Sequence, residues 1–497
     1  MNAKSLKSPS LPEDPIIYEI NTWIWLNELS KKYRKKLTLA NIPPKEYDEF
    51  AKFGFNAIWL MGVWQRSPAG LAIAKQHPDI MKDIREALPD VKNGDISGSP
   101  YCIRDYIVDS HIGGAEGLAI ARKELASRGL RLILDFVPNH VAPDHPWAIS
   151  NPGFFIQGTD EELINFPYDY YLSGENIFAK ARDPFYPPWP DIIQLNAFDA
   201  NLRKAILETL KKIAAQCDGI RCDMAMLVMN EIFARTWSQK AGQKPEQDFW
   251  AYMIPMVKKQ YPRFTFIAES YWDTEPELLW QGFDFCYDKR FYDYLLEGAE
   301  KSRQRLLDTI PISKMLLRFL ENHDEKRAAG LFPIERHKAL ALAALTQPGA
   351  RLFHDGQLEG RTVKVPVFLS RRQNEQENGA LKEYYRKLLQ ILQSEAIRNG
   401  KWSACEVSGW SDNQSCLNLL VWEWSGDHEN LLFVVNLSDQ PAQALVRSSY
   451  SYLPGRTYQL FDVISGELFI RDSDEMNDPG LFVGLQAWGA HAFHIEC

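Results

Sequence analysis

Cysteine is scarce in this sequence, and long apolar runs are missing from it. Seven cysteines are scattered over 497 residues, and no two of them form a C-x-x-C pair. This usage is typical of reduced thiols and argues against a disulfide framework or a zinc site. No run of about 18 apolar residues could cross a membrane. Met1–Pro15 is polar and has no signal-peptide apolar segment, so we expect a cytoplasmic protein with no membrane partner.

Positive charge is also in deficit, because 56 Lys and Arg stand against 65 Asp and Glu, for a net charge of -9. A nucleic-acid-binding surface needs clustered basic residues, so we expect no nucleic-acid partner. Repeats and low-complexity tracts are absent, and 45% apolar with 24% charged residues is ordinary for a globular protein. The length suggests roughly three domains, or one large barrel with attachments.

Eight short apolar runs recur in the first 355 residues, with helix-like stretches between them. Strands that alternate with helices form a parallel sheet, and eight of them predict a closed (β/α)8 TIM barrel of the α/β class. The predicted strands are Ile16–Trp25, Phe55–Val63, Leu130–Val137, Gly219–Cys222, Phe264–Ala268, Phe283–Tyr287, Leu316–Leu320 and Ala350–Phe353. The clearest predicted helices are Gly117–Arg128, Leu202–Ala215 and Arg336–Leu345.

Two insertions and a C-terminal domain extend this barrel. One βα unit takes roughly 31 residues, whereas far more chain separates Asp135 from Asp223, and the excess is weakly periodic and rich in Pro, Tyr, Trp and Asp. We predict a small lid at residues 142–201 and a second insertion at Gln65–Pro100. Alternating strands separated by turn residues predict an all-β sandwich at residues 399–497. Residues 1–141 and 202–398 then make up the barrel domain.

Acidic, amide and histidine residues follow four of the predicted strands, whose carboxyl ends meet at one rim of a barrel. They are Asp135, Asn139 and His140 in and after the third strand, Arg221 and Asp223 at the end of the fourth, Glu269 after the fifth, and Asn322, His323 and Asp324 after the seventh. Carboxylates that share one pocket repel one another and so destabilise the fold. Such a group is therefore expected mainly where its carboxylates have a chemical function.

Glycoside hydrolysis needs two carboxylates in different states. One is ionised and attacks the anomeric carbon, and the other is protonated and acts on the leaving oxygen. Arg221 and Asp223 are two residues apart on a strand and share a face, so the Arg would keep Asp223 ionised. Glu269 follows an apolar run, where partial burial would favour its protonated form.

With these motifs the sequence resembles the α-amylase superfamily of glycoside hydrolases, family thirteen. The four main signatures match Asp135–His140 (D-x-x-x-N-H), Gly219–Asp223 (G-x-R-x-D), Glu269 and Asn322–Asp324 (N-H-D). Gln194–Asn196 resembles the fifth signature, and Gly98–Tyr101 with Asp105 and Tyr106 resembles the usual approach to the third strand. The resemblance extends from about Ile16 to the C-terminus, because the family has a lid after its third strand and a C-terminal β-sandwich.

The resemblance implies catalytic roles for three carboxylates. Asp223 would be the nucleophile that forms a covalent β-glycosyl intermediate. Glu269 would protonate the leaving oxygen and then activate water, and Asp324 would hold the hydroxyls of the distorted sugar. Arg221 would orient Asp223, with Asp135 as a buried structural partner of the Arg.

The resemblance also implies substrate-binding residues. His140 and His323 would bind hydroxyls of the sugar before the scissile bond, and Tyr101 would stack on its face. Asn139 is a calcium ligand in many relatives, but Met226-Leu227 stands where many starch-degrading members have Lys-His, a pair that supports the calcium site and contacts the leaving-group side. We therefore predict no required cofactor and no metal site, with calcium as an open alternative.

The leading interpretation is a retaining hydrolase of α-glucosidic bonds in malto-oligosaccharides or related α-glucans, with the saccharide as its partner and the oligomeric state open. One alternative is a transglycosylase or isomerase on the same nucleophile. Another is a non-catalytic relative, against which the complete set of carboxylates argues. A metal-dependent barrel hydrolase would need an H-x-H on the first strand, where Asn21-Thr22-Trp23 stands. Five tryptophans are candidate sugar platforms, although core or lid packing is favoured for each: Trp23, Trp64, Trp147, Trp189 and Trp272.

Overall fold

The fold is described from a computed structural model. It describes residues 11–496. The first ten residues, which carry most of the segment from which we predict no signal peptide, and Cys497 lie outside the described residues. Within the described part of the chain, no helix is both long and apolar enough to span a membrane.

Eight parallel strands close into a barrel, as the sequence predicts. The strands are β1 (Ile16–Asn21), β2 (Ala57–Met61), β3 (Arg131–Phe136), β4 (Gly219–Cys222), β5 (Thr265–Ala268), β6 (Phe285–Tyr287), β7 (Leu316–Phe319) and β8 (Ala350–His354). Their order around the barrel is β1-β8-β7-β6-β5-β4-β3-β2. The (β/α)8 fold class is therefore confirmed, and the carboxyl ends of the strands are where a site is expected.

The first predicted strand is too long. We predict Ile16–Trp25, but β1 ends at Asn21, and a helix begins at Thr22. The Asn21 side chain accepts a hydrogen bond of 3.3 Å from the backbone N–H of Ile24 and so caps that helix. The apolar residues continue past the cap because they form the buried side of the helix, and apolar character alone does not reveal the change.

Helices separate the barrel strands and continue after the last one. The α-helices are Thr22–Lys32, Pro44–Lys52, Pro68–Gln76, Pro78–Ala87, Gly114–Ala126, Trp147–Ser150, Asp160–Asn165, Ala200–Ala214, Asn230–Trp237, Phe249–Gln260, Glu275–Trp280, Lys289–Glu297, Ala299–Asp308, Ala328–Leu331, Ile334–Leu345, Gly379–Ile391, Glu395–Asn399 and Ser473–Glu475. The three helices predicted from the sequence are present with bounds shifted by at most three residues.

The region after β3 leaves the barrel pattern, as the predicted lid requires. Two short antiparallel ladders lie there. One pairs His140–Val141 with Ile193–Gln194, and the other pairs Tyr170–Ser173 with Asn176–Ala179. The first ladder ties the two ends of the excursion together directly after the third strand.

The C-terminal region is all-β apart from short turns of helix. Its strands are β9 (Lys401–Ala404), β10 (Glu406–Ser408), β11 (Leu419–Ser425), β12 (Asn430–Asn436), β13 (Ala442–Arg447), β14 (Thr457–Asp462), β15 (Leu468–Asp472), β16 (Leu481–Leu485) and β17 (Ala490–Glu496). They form one sheet in the order β9-β11-β12-β17-β14-β15 and another in the order β10-β13-β16. Val421 and Val434 of the first sheet share a buried core with Val446 and Val483 of the second, which makes a sandwich.

The chain divides into two compact units. One contains Ile17–Tyr287 with Lys364–Asn374, and the other contains Asp288–Val363 with Glu375–Cys497. The domain limits that we predict at residues 141, 201 and 398 would separate a barrel, a lid and a sandwich. They differ from the boundaries of the two compact units and stay a prediction. β1 to β6 lie essentially within the first unit, and β7, β8 and the sandwich lie within the second.

Candidate active site

A buried arginine organises the carboxyl ends of β3, β4 and β5. Arg221 is 1% exposed. Its Nη1 lies 2.5 Å from Asp223 Oδ1 and 4.0 Å from Asp135 Oδ1, and its Nη2 lies 2.7 Å from Glu269 Oε2. Charges this close and this buried interact far more strongly than surface pairs. One guanidinium thus contacts both Asp223 and Glu269, the two carboxylates for which we predict the roles of nucleophile and acid.

Strand register explains this grouping. Arg221 of β4 stands opposite Asp135 of β3 and Ile267 of β5. Asp223 continues β4 by donating its N–H to the Phe136 carbonyl at 2.8 Å. Alternation along a strand puts Arg221 and Asp223 on one face. The motif G-x-R-x-D therefore places Arg221 and Asp223 next to each other on β4. Glu269 joins them because it directly follows β5, the neighbouring strand.

Aromatic rings surround the arginine. Its Cζ lies 5.3 Å from the ring centre of Trp59, 5.2 Å from that of Tyr101 and 5.9 Å from that of Tyr287. Burial, the largest single effect, would lower the pKa of Arg221, but the combined effect of Glu269, the two tyrosines and Asp223 outweighs it and raises that pKa above its usual value. The guanidinium is therefore charged at every physiological pH.

Glu269 accepts hydrogen bonds on both oxygens. Oε2 accepts from the Met224 backbone N–H at 2.6 Å, and Oε1 accepts from Tyr271 Oη at 2.9 Å. The carboxylate is 2% exposed, which is deeper than the partial burial predicted. Burial therefore does not describe this environment by itself, because Arg221 and these two donors also contact the carboxyl group.

Sequence reasoning missed Tyr271 and Met224. Tyr271 has a detectable signal, since it stands two residues after Glu269 in the same loop. Met224 has none, because its contact depends on the left-handed turn at that residue, where φ is 42°. Such a conformation is uncommon for a residue other than glycine and often marks a functional site.

His140 lies at the same end of the barrel, in the first unit. It is 3% exposed, and its ring centre lies 5.7 Å from that of Trp189 in the lid. Burial lowers the pKa of His140 to about 4, against the opposing effect of the Asp223 charge. The imidazole is therefore neutral near pH 7 and can both donate and accept a hydrogen bond.

The remaining predicted residues follow β7, in the second unit. The Asn322 side chain accepts hydrogen bonds from the backbone N–H groups of Asp324 and Glu325, both at 2.9 Å. His323 Nε2 lies 3.0 Å from Asp324 Oδ2. This turn fixes the loop that carries His323 and Asp324. Their predicted action on the sugar held by Asp223 stays a prediction.

A second buried ion pair that sequence reasoning missed supports this loop. Glu321 Oε1 accepts from Arg327 Nη1 at 2.7 Å, and its Oε2 accepts from the Ala328 N–H at 2.7 Å. Arg327 also donates to the Asp355 carbonyl at 2.7 Å, and its Nη1 lies 2.9 Å from His354 Nδ1. The Glu321–Arg327 ion pair thus joins the two ends of the loop that contains Asn322–Asp324.

Asn139, the residue that is a calcium ligand in many relatives, is hydrogen-bonded to the end of the lid. The Asn139 amide oxygen accepts from Gln194 Nε2 at 2.9 Å, which ties the start of the lid to its end. Among residues 11–496, no group of three His, Cys, Asp or Glu side chains could hold a metal ion. Met226 and Leu227, in the positions of the Lys-His pair of many relatives, are buried in a turn of 3-10 helix. Asn139 thus links the two ends of the lid, and the calcium alternative stays a prediction.

Comparison with known proteins gives a consistent family. The model of the α-amylase catalytic domain matches residues 46–281. The α-amylase MalA of Haloarcula japonica is 24% identical over 363 residues, which cover 71% of this chain and 45% of that protein. The cyclomaltodextrinase of Geobacillus thermopakistaniensis is 21% identical over 426 residues, covering 80% of this chain and 65% of that protein. The chain thus matches about half to two thirds of the length of these relatives.

Solved structures share the fold over nearly the whole chain. The noncanonic maltogenic α-amylase AmyB from Thermotoga neapolitana superposes with a TM-score of 0.70 at 18% identity, covering 98% of this chain and 99% of that one. The acarbose complex of the α-amylase from Geobacillus thermoleovorans gives a TM-score of 0.67 at 17% identity, covering 98% and 100%. At such identities the likeness shows the fold.

Proposed function

The chain belongs to the α-amylase superfamily, and on that premise we propose that it is a retaining glycoside hydrolase of α-glucosidic bonds in malto-oligosaccharides or related α-glucans. The observation that carries the proposal is the buried guanidinium of Arg221, which contacts Asp223 and Glu269 together. A single guanidinium spanning two carboxylates fits the roughly 5–5.5 Å separation of a retaining pair better than the wider spacing of an inverting one.

The first step forms a glycosyl-enzyme. The Asp223 carboxylate, which Arg221 contacts at 2.5 Å, attacks the anomeric carbon and forms a carbon–oxygen bond to it. The glycosidic bond breaks, and its electron pair goes to the leaving oxygen, which takes the proton of Glu269. Glu269 Oε2 lies 2.7 Å from Arg221 Nη2 and accepts a hydrogen bond from the Met224 N–H. Oε1, which contacts Tyr271, is therefore the oxygen that carries the proton to the substrate.

The second step releases the sugar. Glu269, now ionised, takes a proton from water, and the water oxygen attacks the anomeric carbon while the bond to Asp223 breaks. The carboxylates return to their starting states, and the product keeps the α configuration. Neutral His140 and Tyr101 bind the retained sugar, and the action of His323 and Asp324 on its hydroxyls stays a prediction from the resemblance. These steps need neither a metal ion nor an organic cofactor.

A product analysis with maltoheptaose tests the proposal. The intact protein should yield shorter sugars, and Asp223→Asn should yield none. The control is Asp48→Asn, since Asp48 is 60% exposed and pairs with Arg128; it should behave like the intact protein. Products longer than maltoheptaose would favour the transglycosylase alternative with the same nucleophile, and unchanged turnover by Asp223→Asn would refute the assignment.

We also propose a cytoplasmic location, with the saccharide as the partner. The six cysteines among the described residues are all free and buried, which fits a reducing compartment. Fractionation of the producing cells would test this: activity in the cytosolic fraction supports the proposal, and activity in the medium contradicts it.

A further inference from the structure

The smaller sheet of the C-terminal sandwich, β10-β13-β16, carries two exposed aromatic side chains on its outer face. Phe482 of β16 is 49% exposed, and Trp410, in the loop after β10, is 36% exposed. Their ring centres lie 6.1 Å apart, and the ring planes are tilted by 59° to each other. Large aromatic side chains usually contribute to a core, so a pair that stays exposed on a sheet offers apolar surface to a ligand.

The loop that carries Trp410 is a tight turn. The Trp410 N–H donates to the Asn413 carbonyl at 3.1 Å, the Asn413 N–H donates back to the Trp410 carbonyl at 3.0 Å, and Gln414 Nε2 donates to the same carbonyl at 2.7 Å. A Cβ at Gly409 would lie only 2.6 Å from the Asn413 carbonyl oxygen and 2.8 Å from Cys416 Sγ. The turn therefore holds the backbone of Trp410 in place before a ligand binds, which reduces the entropy that binding costs.

An amide group borders the aromatic pair. On β13, Gln443 stands opposite Gly484 of β16, and Leu445 stands opposite Phe482. A Cβ at Gly484 would lie 3.7 Å from both Gln443 Cγ and Phe482 Cζ, so the missing side chain leaves a gap between the amide and the ring. Gln443 Oε1 accepts from Asn413 Nδ2 at 3.3 Å, and Gln443 Nε2 donates to no protein group among residues 11–496. This amide nitrogen is available to a ligand hydroxyl.

We propose that Trp410, Phe482 and Gln443 form a second saccharide-binding site, on the sandwich, for an α-glucan chain. A pyranose ring has apolar C–H faces, which pack on aromatic rings, and hydroxyls, which need hydrogen-bond partners such as an amide. Successive glucose rings turn relative to one another in an α-1,4-linked chain, whereas a β-1,4-linked chain is a flat ribbon that packs on coplanar rings. The tilt between Trp410 and Phe482 therefore fits the α-linked chain.

The second site favours polymers over short oligosaccharides. A long chain that is bound at the sandwich stays close to the enzyme, so its other segments reach the catalytic residues at a raised effective concentration. A pentasaccharide gains little, because it is too short to profit from two sites. The inference rests on the proposed function only for the class of sugar, since none of the predicted catalytic residues takes part in this site.

Fluorine NMR of protein labelled with fluorotryptophan tests the site directly. The resonance that is missing from Trp410→Phe reports on Trp410, and Asp223→Asn in every sample keeps the sugar uncleaved. Maltoheptaose should shift the Trp410 resonance, and cellohexaose, a β-1,4-linked sugar, should not. Phe482→Ala should raise the dissociation constant obtained from this shift by about tenfold. The internal control is the resonance of Trp280, which is 77% exposed on a helix before β6 and should not move.

Kinetics of the proteins with Asp223 intact measure the effect of the site on catalysis. Trp410→Ala and Phe482→Ala should lower kcat/KM on amylose by about tenfold, with kcat/KM on maltopentaose within about twofold of the intact protein. Trp280→Ala should change neither value. Equal losses on both substrates would show that the aromatic pair only supports the fold, which overturns the second site.

The remaining outcomes separate the second site from its premise. A Trp410 resonance that stays in place with maltoheptaose, or that moves equally with cellohexaose, overturns the site and leaves the hydrolase intact. A change of oligomeric state in Trp410→Ala, measured by sedimentation, would assign the exposed pair to a contact between copies of the chain and would also overturn it. If the intact protein cleaves no maltoheptaose, the proposed function fails, whereas a maltoheptaose-dependent shift at Trp410 still supports the second site.

Discussion

Removal of the Arg221 guanidinium is the most informative perturbation of the candidate site. Arg221→Leu would keep most of the side-chain volume and leave Asp223 and Glu269, which are 6% and 2% exposed, without their shared counter-charge. Breaking a buried ion pair by removing one partner costs about 3–5 kcal/mol. Since this Arg contacts two carboxylates and lies 4.0 Å from Asp135, we expect a loss at the upper end of that range.

Activity should fall further than stability. Without Arg221, both Asp223 and Glu269 lose the guanidinium that contacts them, and nothing then holds the two carboxylates in their relative positions. We expect kcat on α-maltosyl fluoride to drop by about 10³-fold or more, which corresponds to about 4 kcal/mol. Arg221→Lys keeps the charge but not the fork that reaches both carboxylates, so it should recover stability more than activity.

Urea unfolding followed by tryptophan fluorescence, together with fluoride release, measures both effects. The control is Arg386→Leu, which removes a half-exposed Arg that pairs with Glu383 on a helix surface. Such a pair contributes about 0–1 kcal/mol. An Arg221→Leu protein as stable as this control would refute the reasoning, because the carboxylates would then not depend on the buried guanidinium.

Three further predictions concern single contacts. Tyr271→Phe removes the hydroxyl that donates to Glu269 Oε1. It should lower kcat on maltopentaose by about tenfold and leave the urea midpoint of unfolding unchanged. A lower midpoint with a normal kcat would contradict a role of Tyr271 in positioning Glu269. Arg327→Met removes the counter-charge of the buried Glu321 and should destabilise the protein by about 3–5 kcal/mol. Thermal unfolding, compared with the Arg386→Leu control, measures this effect, and an unchanged midpoint would contradict the prediction. Burial lowers the pKa of His337 to about 4. As the pH falls below 6.5, this histidine therefore binds a proton in the unfolded chain before it does so in the folded protein. The free energy of unfolding should decrease by about 3 kcal/mol between pH 6.5 and pH 4. His337→Gln should flatten that dependence in urea titrations, and an unaltered slope would contradict it.

The barrel could be predicted because its strands are buried on both faces. β4 lies at the predicted positions, Gly219–Cys222, since an apolar strand ends abruptly at the charged Asp223. At Trp23–Trp25 the prediction of a strand is wrong, because these apolar residues belong to a helix capped by Asn21. Continuous apolar character marks burial, and only the capping residue marks the change of backbone conformation.

The candidate site was predictable where it follows from strand alternation and not where it depends on distant loops. Arg221 and Asp223 lie on one strand, so their contact follows from the sequence. The hydrogen bond from Met224 to Glu269 and the contact of Phe185 with Trp272 join residues 45 and 87 positions apart. Each depends on loop conformations set by tertiary packing, which local sequence patterns do not encode.

Chemical rescue by azide tests the central claim most directly, because the anomer of the product reports which carboxylate was removed. With α-maltosyl fluoride, Asp223→Ala should give β-maltosyl azide, since azide replaces the missing nucleophile in a single displacement. Glu269→Ala should give α-maltosyl azide, since azide then attacks the glycosyl ester on Asp223. The opposite anomers from the two variants, or the same anomer from both, would contradict the roles assigned to Asp223 and Glu269.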